Sequence, residues 1–330
     1  MSELIRLDDI YMNFSKAGKI LENEKVVQVL KRVDLTINEG EITVFVGESG
    51  CGKTTLGKIV VGLLKPSKGN VFYKGQNINN ALAFKKEFKS SVQFVQQDSY
   101  AALNPVRTIY QSLFAPIKNH NKKLTRQEID KLIVDYLDLV GLKPAEQFLD
   151  KYPHQLSGGQ RQRVCLARAV SLNPKLIVAD EPVSMIDVSL RIAILDIMKR
   201  LNSMMGISFI YITHDLATAN YFATSGKMCV MYLGEIVEKG YVKDIITNPQ
   251  HPYTKALISA IPIIDPNINQ LDIKIPLKTM EIGDLVNRTK GCSFYNRCLY
   301  AADKCLEPVD YIEKNGVKIL CCNLEEVEKE

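Results

Sequence analysis

The feature that most constrains this chain is a glycine-rich loop between an apolar strand and a helix. Residues 47–54 read Gly-Glu-Ser-Gly-Cys-Gly-Lys-Thr, the phosphate-binding pattern of two glycines separated by four residues and followed by lysine and threonine. Strands are predicted within residues 26–46 and a helix over 54–64. Glycine is needed because backbone N–H groups must approach phosphate oxygens closely, where a Cβ would obstruct them. The loop therefore predicts a nucleotide triphosphate site.

Two further segments follow the loop in a fixed order. Residues 156–160 read Leu-Ser-Gly-Gly-Gln, and residues 176–181 form an apolar strand that ends in Asp180 and Glu181. The three segments together resemble the ATP-binding subunit of an ABC transporter. This resemblance implies an α/β fold of the P-loop NTPase, RecA-like class, with an inserted helical subdomain. Short apolar runs at 176–179 and 208–213 suit its buried parallel sheet.

The residues of the loop are expected to bind ATP and its magnesium ion. Lys53 should reach the β- and γ-phosphates, and the hydroxyl of Thr54 should ligate Mg²⁺. The carboxylate of Asp180 should hold Mg²⁺ directly or through water, while Glu181 is placed to polarise the attacking water. Cys51 occupies a variable position of the loop and is interpreted as structural. The expected nucleotide-binding set of the loop is Gly47, Glu48, Ser49, Gly50, Cys51, Gly52, Lys53, Thr54 and Thr55.

The resemblance assigns roles to residues outside the loop. His214 matches the family's switch histidine, which contacts the γ-phosphate. Gln97 matches its lid glutamine, which senses Mg²⁺ and the attacking water, so the catalytic set is Glu181, His214 and Gln97. Phe14, or less favourably Tyr11, matches the aromatic residue that stacks on adenine; a core position at a strand edge is the competing interpretation. Since no residue of this set is degenerate, hydrolysis is expected at the chain's own site.

The segment 157–160 implies a dimer. In the family this turn completes the ATP site of the opposing subunit, so that two ATP molecules lie between two ATPase subunits and closure stabilises the charge on the γ-phosphoryl group. Ser157, Gly158, Gly159 and Gln160 are therefore expected to contact nucleotide, and Asp187 matches the turn that communicates across the interface. The expected partner is a second ABC ATPase subunit, either a paralogue or a copy of this chain.

Length and composition predict a globular chain of more than one domain. Its 330 residues are 46% apolar and 24% charged, and its net charge of +5 is too small to indicate nucleic acid as a partner. The sequence shows neither a bilayer-crossing apolar run nor a signal-peptide core, so a peripheral position on the cytoplasmic face of the membrane is expected. The predicted domains are the ATPase core (1–84 and 166–245), a helical subdomain (85–165) and a C-terminal extension (246–330).

Five of the eight cysteines lie in that extension: Cys292, Cys298, Cys305, Cys321 and Cys322. In a reducing cytosol such a group indicates metal binding before disulfides. Four thiolates can hold zinc or a 4Fe–4S cluster, and the spacing matches neither the short zinc-finger pattern nor the usual ferredoxin pattern. Five unliganded cysteines are the remaining alternative.

Segments 248–257 and 291–298, together with 100–105 and 152–156, are similar to the oligopeptide/dipeptide branch of ABC importers. In that branch the cysteines can hold a 4Fe–4S cluster, which implies Cys292, Cys298, Cys305 and Cys322 as ligands, with Cys321 an alternative for the fourth. The branch also implies two integral membrane permease subunits, on which the helical subdomain docks. An extracellular solute-binding protein is implied as an indirect partner. Its members also import oligosaccharides and nickel complexes; peptides are the first expectation here and oligosaccharides the second.

Two other functions compete with import. Soluble ABC ATPases of translation or DNA repair usually carry two cassettes, long coiled coils or strongly basic arms, and this sequence has none of these. In a regulatory, metal-sensing protein the cysteine cluster would be the main functional site. Here metal sensing is retained only as a secondary role.

Overall fold

A computed structural model describes residues 2–16, 25–79, 82–260, 277–281, 283, 285 and 289–327. The strands are β1 Glu3–Lys16, β2 Lys25–Asn38, β3 Ile42–Val46, β4 Lys68–Tyr73, β5 Gln76–Asn77, β6 Val92–Val95, β7 Leu176–Asp180, β8 Ser208–Thr213, β9 Lys227–Tyr232, β10 Glu235–Tyr241, β11 Ile312–Lys314 and β12 Val317–Ile319. The helices are α1 Lys53–Val60, α2 Leu82–Ser91, α3 Ser99–Ala102, α4 Ile109–His120, α5 Arg126–Leu139, α6 Glu146–Leu149, α7 Gly158–Val170, α8 Val188–Met205, α9 Leu216–Phe222, α10 Val242–Thr247, α11 Pro252–Ser259 and α12 Leu324–Val327.

The larger of two sheets positions the site. Its strand order is β11-β12-β10-β9-β3-β8-β7-β6, and the pairs from β9 to β6 are parallel. β8 is buried at every position, as expected for a parallel strand covered on both faces. The carboxyl ends of β3, β7 and β8 therefore meet at one edge, which is where open parallel sheets bind ligands.

One strand of the sheet lies in a segment that the sequence pattern assigned to helices. Residues 85–165 were expected to be helical, but β6 lies within them and pairs in parallel with β7. Its Val-Gln-Phe-Val sequence is too short for a helical period to be distinguished from a buried strand. The helices α3 to α7 follow β6, and α7 ends at Val170. The helix expected over 54–64 ends at Val60, because Gly62 adopts a left-handed conformation (φ 70°) in the turn that follows.

Two hydrophobic clusters fill the interior. One lies between the large sheet and helices that include α4, α5, α7 and α8. The other packs α1 between the large sheet and a four-stranded antiparallel sheet of order β2-β1-β4-β5. Among the C-terminal residues, β12 pairs with β10, which joins this part of the chain to the large sheet. Residues 261–276 of the expected extension lie outside the described part.

Within the ranges that the structure describes, no helix combines the length and the apolar character that crossing a bilayer requires.

Candidate functional site

The phosphate loop joins β3 to α1, and its terminal glycines are fixed by close contacts. A Cβ on Gly47 would lie 2.1 Å from the carbonyl oxygen of Met231, in β9. Gly52 has φ 104°, and a Cβ there would lie 3.0 Å from the carbonyl oxygen of Val29. No other residue type fits either position without displacing a neighbouring strand.

Lys53 lies folded against the loop that it follows. Its Nζ donates hydrogen bonds to the carbonyl oxygens of Gly47 (2.6 Å) and Glu48 (2.9 Å). The Sγ of Cys51 lies 3.7 Å from the same nitrogen. Burial raises the pKa of the Cys51 thiol, although nearby Lys53 opposes the shift. The thiol is therefore uncharged and fills space as a buried side chain of the loop.

Thr54 and Asp180 form a pair of oxygen ligands suited to magnesium. The Thr54 hydroxyl donates a hydrogen bond of 3.0 Å to Oδ1 of Asp180. Neighbouring ligands of an octahedral Mg²⁺ with bonds of 2.0–2.1 Å are about 2.9 Å apart, so this pair already has the required spacing. Burial raises the pKa of Asp180, and the Thr54 hydrogen bond partly offsets that shift.

Glu181 connects two of the predicted catalytic residues. The Nε2 of Gln97 donates to Oε2 of Glu181 (3.2 Å), and Nδ1 of His214 lies 3.2 Å from Oε1. The backbone of Glu181 has φ 44°, a conformation rare for residues other than glycine, and its N–H donates to the carbonyl oxygen of Ile212 in β8 (2.9 Å). This backbone strain lies at the residue whose carboxylate faces the cavity, where strain is commonly retained.

Many of the predicted residues line one open cavity of about 510 Å³, which is within the usual range of ligand sites; Gly47, Glu48, Cys51 and Asp180 are not in its wall. The predicted residues that it brings together are Ser49, Gly50, Gly52, Lys53, Thr54, Thr55, Gln97, Glu181 and His214. Its walls also contain four residues that sequence reasoning missed: Val29, Ser184, Met185 and Leu285. Ser184 had a usable signal, because it follows the carboxylates by three residues; its hydroxyl donates to the carbonyl oxygen of Glu181 (3.0 Å). Leu285 had none.

Phe14 is not among the residues that line this cavity. It lies on β1 opposite Val27 of β2, with 41% of its surface exposed. Tyr11 lies three residues before Phe14 in β1. The Nζ of Lys68 lies over its ring, 4.9 Å from the ring centre. The antiparallel sheet contributes Val29 to the cavity instead.

Ser157 begins α7 and lies apart from the phosphate loop. Its hydroxyl accepts the N–H of Gln160 (3.3 Å), while Oε1 of Gln160 accepts the N–H of Ser157 (3.0 Å), a capping box. Ser157, Gly159 and Gln160 line a separate cavity of about 350 Å³. Asp187 precedes α8 at its N-cap position. The Ser157 segment is therefore free of the chain's own loop, with an ordered helix N-terminus.

The five C-terminal cysteines line one small cavity of about 10 Å³. The sulphurs of Cys305 and Cys322 are 3.2 Å apart. Burial raises the pKa of Cys292 and Cys322 to about 12, so these are neutral thiols. Within the described residues, no three His, Cys, Asp or Glu side chains are arranged to hold a metal ion. The cavity has room for about one water molecule. The thiols thus converge on one cavity, but among the described residues they do not adopt the arrangement of a metal site.

Comparison with known proteins gives matches along most of the chain. The family model described as "ABC transporter" matches residues 30–184, and the model described as "Oligopeptide/dipeptide transporter, C-terminal region" matches residues 237–305. The dipeptide transport ATP-binding protein DppF of Haemophilus influenzae is 40% identical over 91% of this chain and 90% of its own. The oligopeptide transport ATP-binding protein OppF of Salmonella typhimurium is 38% identical over 97% and 95%. 

A solved structure with the same core is a dimeric, post-hydrolysis state of the ATP-binding cassette MJ0796 bound to ADP and phosphate. It has a TM-score of 0.64 and 28% identity, covering 72% of this chain and 99% of that one. The cassette cbiO1 of Clostridium perfringens gives a TM-score of 0.63 at 25% identity, covering 75% and 92%. These neighbours support the α/β cassette core.

Proposed function

This chain belongs to the ATP-binding subunits of ABC transporters, in their oligopeptide/dipeptide branch, and we propose on that basis that it drives the import of peptides. The chain is an ATPase of this family. The relatives named for dipeptide and oligopeptide transport support the substrate class. The observation that carries the proposal is the contact of Glu181 with both Gln97 and His214, in a cavity that residues of the phosphate loop also line.

We propose a separate task for each group. Glu181 accepts the proton of the attacking water, because its two oxygens face the cavity and are held by Gln97 and His214. Lys53 exchanges its hydrogen bonds with loop carbonyls for phosphate oxygens and offsets their charge. Thr54 and Asp180 hold Mg²⁺, which supplies further charge neutralisation when bound.

We propose that two such subunits close around two ATP molecules. The dimeric state of the structural neighbour supports this arrangement. So does the separation of Ser157 from the chain's own loop, since its helix N-terminus is then available to the nucleotide of a partner. The proposed partner is a paralogue or a second copy of this chain.

The proposed assembly also contains two membrane permeases and, indirectly, an extracellular solute-binding protein. The division into an ATPase core, a helical subdomain and a C-terminal extension remains part of the proposal, with the helical part docking on the permeases at the cytoplasmic face. The exposed side chains of Tyr100 and Val106, at 58% and 77%, support a contact surface near α3.

The experiment that tests import is affinity purification of the tagged chain from native membranes in mild detergent, followed by mass spectrometry. Multi-pass membrane chains and a solute-binding protein are expected to co-purify, and the ligand of the latter defines the substrate. Ribosomal or DNA-repair proteins without membrane chains would overturn the transport proposal and leave the ATPase function in place.

The 4Fe–4S cluster is proposed as a structural group on Cys292, Cys298, Cys305 and Cys322. The convergence of these thiols on one cavity supports it, and the small volume of that cavity counts against it. Anaerobic purification should give iron and acid-labile sulphide in equal amounts, which Cys298→Ser removes and Cys229→Ser, a change of a cysteine in β9, leaves intact. Zinc in place of iron would favour the alternative metal, and no metal would leave five free thiols.

A further inference from the structure

The second residue of the phosphate loop, Glu48, is held by a residue from the far end of the chain. Nη1 of Arg297 donates to Oε2 of Glu48 (2.8 Å), and Nη2 donates to Oε1 (3.0 Å). The side chain of Arg297 is only 5% exposed, and that of Glu48 is 23% exposed. Two parallel charge-assisted hydrogen bonds fix orientation as well as distance, so this contact restrains the Glu48 side chain in a single geometry.

A second C-terminal residue holds the backbone of the same glutamate. The N–H of Glu48 donates to the hydroxyl of Tyr253 (2.9 Å), a residue of α11 that is 1% exposed. The loop also approaches β9 so closely that Gly47 has no room for a Cβ. Three separate contacts thus restrain the first two residues of the loop.

The two residues share one aromatic cluster. Ring centres are 4.6 Å apart for Tyr232 and Tyr253, 5.1 Å for Tyr232 and Phe294, and 5.4 Å for Tyr253 and Phe294. The guanidinium carbon of Arg297 lies 5.7 Å from the ring centre of Tyr232 and 5.8 Å from that of Phe294. Buried aromatic packing of this kind is rigid, so the cluster holds Tyr253 and Arg297 in fixed positions against the loop.

Glu48 in turn contacts the lysine that binds phosphate. Its carbonyl oxygen accepts a hydrogen bond of 2.9 Å from Nζ of Lys53. A continuous path therefore leads from Arg297 through Glu48 to the Lys53 ammonium. We propose that Arg297 and Tyr253 are positioning residues for the phosphate loop, which hold it in the conformation that receives ATP. This inference rests on the proposed function of the site.

The physical basis is preorganisation. A glycine-rich loop has large conformational freedom, and ordering it on ligand binding would reduce affinity. The Arg297 and Tyr253 contacts order the loop beforehand. They touch neither the attacking water nor Glu181, so their loss should weaken ATP binding more than it slows the chemical step.

The test uses the full-length chain and compares Arg297→Gln with Arg297→Lys. The Arg297→Gln side chain is neutral and cannot reproduce both charge-assisted hydrogen bonds to Glu48. We expect it to raise the KM and Kd for ATP by about tenfold or more, with kcat within about threefold of the unchanged protein. Arg297→Lys keeps the positive charge but cannot make the two parallel hydrogen bonds of a guanidinium. It should therefore recover part of the affinity for ATP. Lys304→Gln removes an exposed cation of the same C-terminal region and should change neither constant.

Tyr253→Phe covers the case in which Arg297→Gln does not fold, because it deletes a single hydroxyl and keeps the ring. We expect a severalfold rise in the KM for ATP with a circular dichroism spectrum like that of the unchanged protein. Folded variants at both positions that bind ATP normally would overturn the inference. That result is distinct from failure of the proposed function, in which the unchanged protein itself would not hydrolyse ATP.

Discussion

The hydroxyl of Thr54 donates a hydrogen bond of 3.0 Å to the carboxylate of Asp180, which joins the start of α1 to the end of β7. The sequence predicted both residues as magnesium ligands, together with Gln97. Their contact means that two of the three predicted ligands are already adjacent in the fold.

Replacing Asp180 by asparagine should weaken magnesium binding without removing nucleotide binding. The amide keeps the size and the hydrogen bond from Thr54 but loses the charge, so we expect the Mg²⁺ concentration for half-maximal ATPase activity to rise by about tenfold or more. A Mg²⁺ titration at saturating ATP measures it. Asp135→Asn, in the exposed part of α5, is the control and should not alter the titration.

The same carboxylate predicts a pH dependence of magnesium binding. Burial raises the pKa of Asp180, and only the ionised form binds the cation well. Acidification should therefore weaken magnesium binding at a higher pH than for an ordinary aspartate. Calorimetry with a non-hydrolysable ATP analogue at pH 7.5 and pH 5.5 measures it. An equal loss of magnesium affinity on acidification in the unchanged protein and in Asp180→Asn would contradict this.

Glu181→Gln should stop hydrolysis and preserve ATP binding. The amide fills the same space but cannot accept the proton of the attacking water, so we expect a loss of about 100-fold or more in kcat. The ATP-bound dimer should accumulate and appear on gel filtration as a doubled mass. Lys53→Ala is the contrasting variant, since it should abolish tight binding of ATP. Near-normal turnover in Glu181→Gln would show that Glu181 does not have the proposed role.

Ser157→Ala should impair ATP-driven dimer formation while leaving ATP binding to a single subunit unchanged. The hydroxyl lines a cavity distinct from that of the phosphate loop, so the monomer's Kd for ATP should not change. ATP-driven dimer formation and hydrolysis should fall. Loss of the cap on α7 should also lower the free energy of unfolding by about 1 kcal/mol, which urea titration measures. A weaker Kd for ATP in the isolated monomer would contradict the separation.

His251 predicts a loss of stability in acid. Its ring is 1% exposed, and Nδ1 accepts the N–H of Tyr253 (3.1 Å). Burial lowers its pKa to about 3, below the ordinary value of about 6.5 that it has in the unfolded chain. As the pH falls below 6.5, the unfolded chain takes up a proton that the folded chain does not. The free energy of unfolding should therefore fall by about 2 kcal/mol between pH 6.5 and pH 5.

His251→Asn keeps an acceptor for Tyr253 and should remove this part of the pH dependence. Urea titrations of both proteins at pH 7, 6 and 5 measure it. The neighbouring Glu238 has its pKa raised by burial, so its effect has the opposite sign, but it is present in both proteins and cancels in the difference. A parallel decline in the two proteins would show that His251 is not responsible.

Many of the predicted site residues meet at one cavity because each motif is a continuous segment at the carboxyl end of a parallel strand. The phosphate loop, Glu181 and His214 follow β3, β7 and β8, and such strand ends meet at one edge of a sheet. The strand β6 and the wall residue Leu285 were missed. The first is too short for its period to be informative, and the second reaches the cavity from a segment with no motif.

The sequence by itself determined the chemistry of the site and the family, because glycine spacing, carboxylates and the Ser157 turn act through local backbone conformation. Only the tertiary structure decided which distant groups meet. It placed Arg297 on Glu48 across 249 residues and left Phe14 outside the cavity wall. The physical reason is that distances between segments depend on strand order and on how side chains fill the core, and neither is encoded in a local pattern.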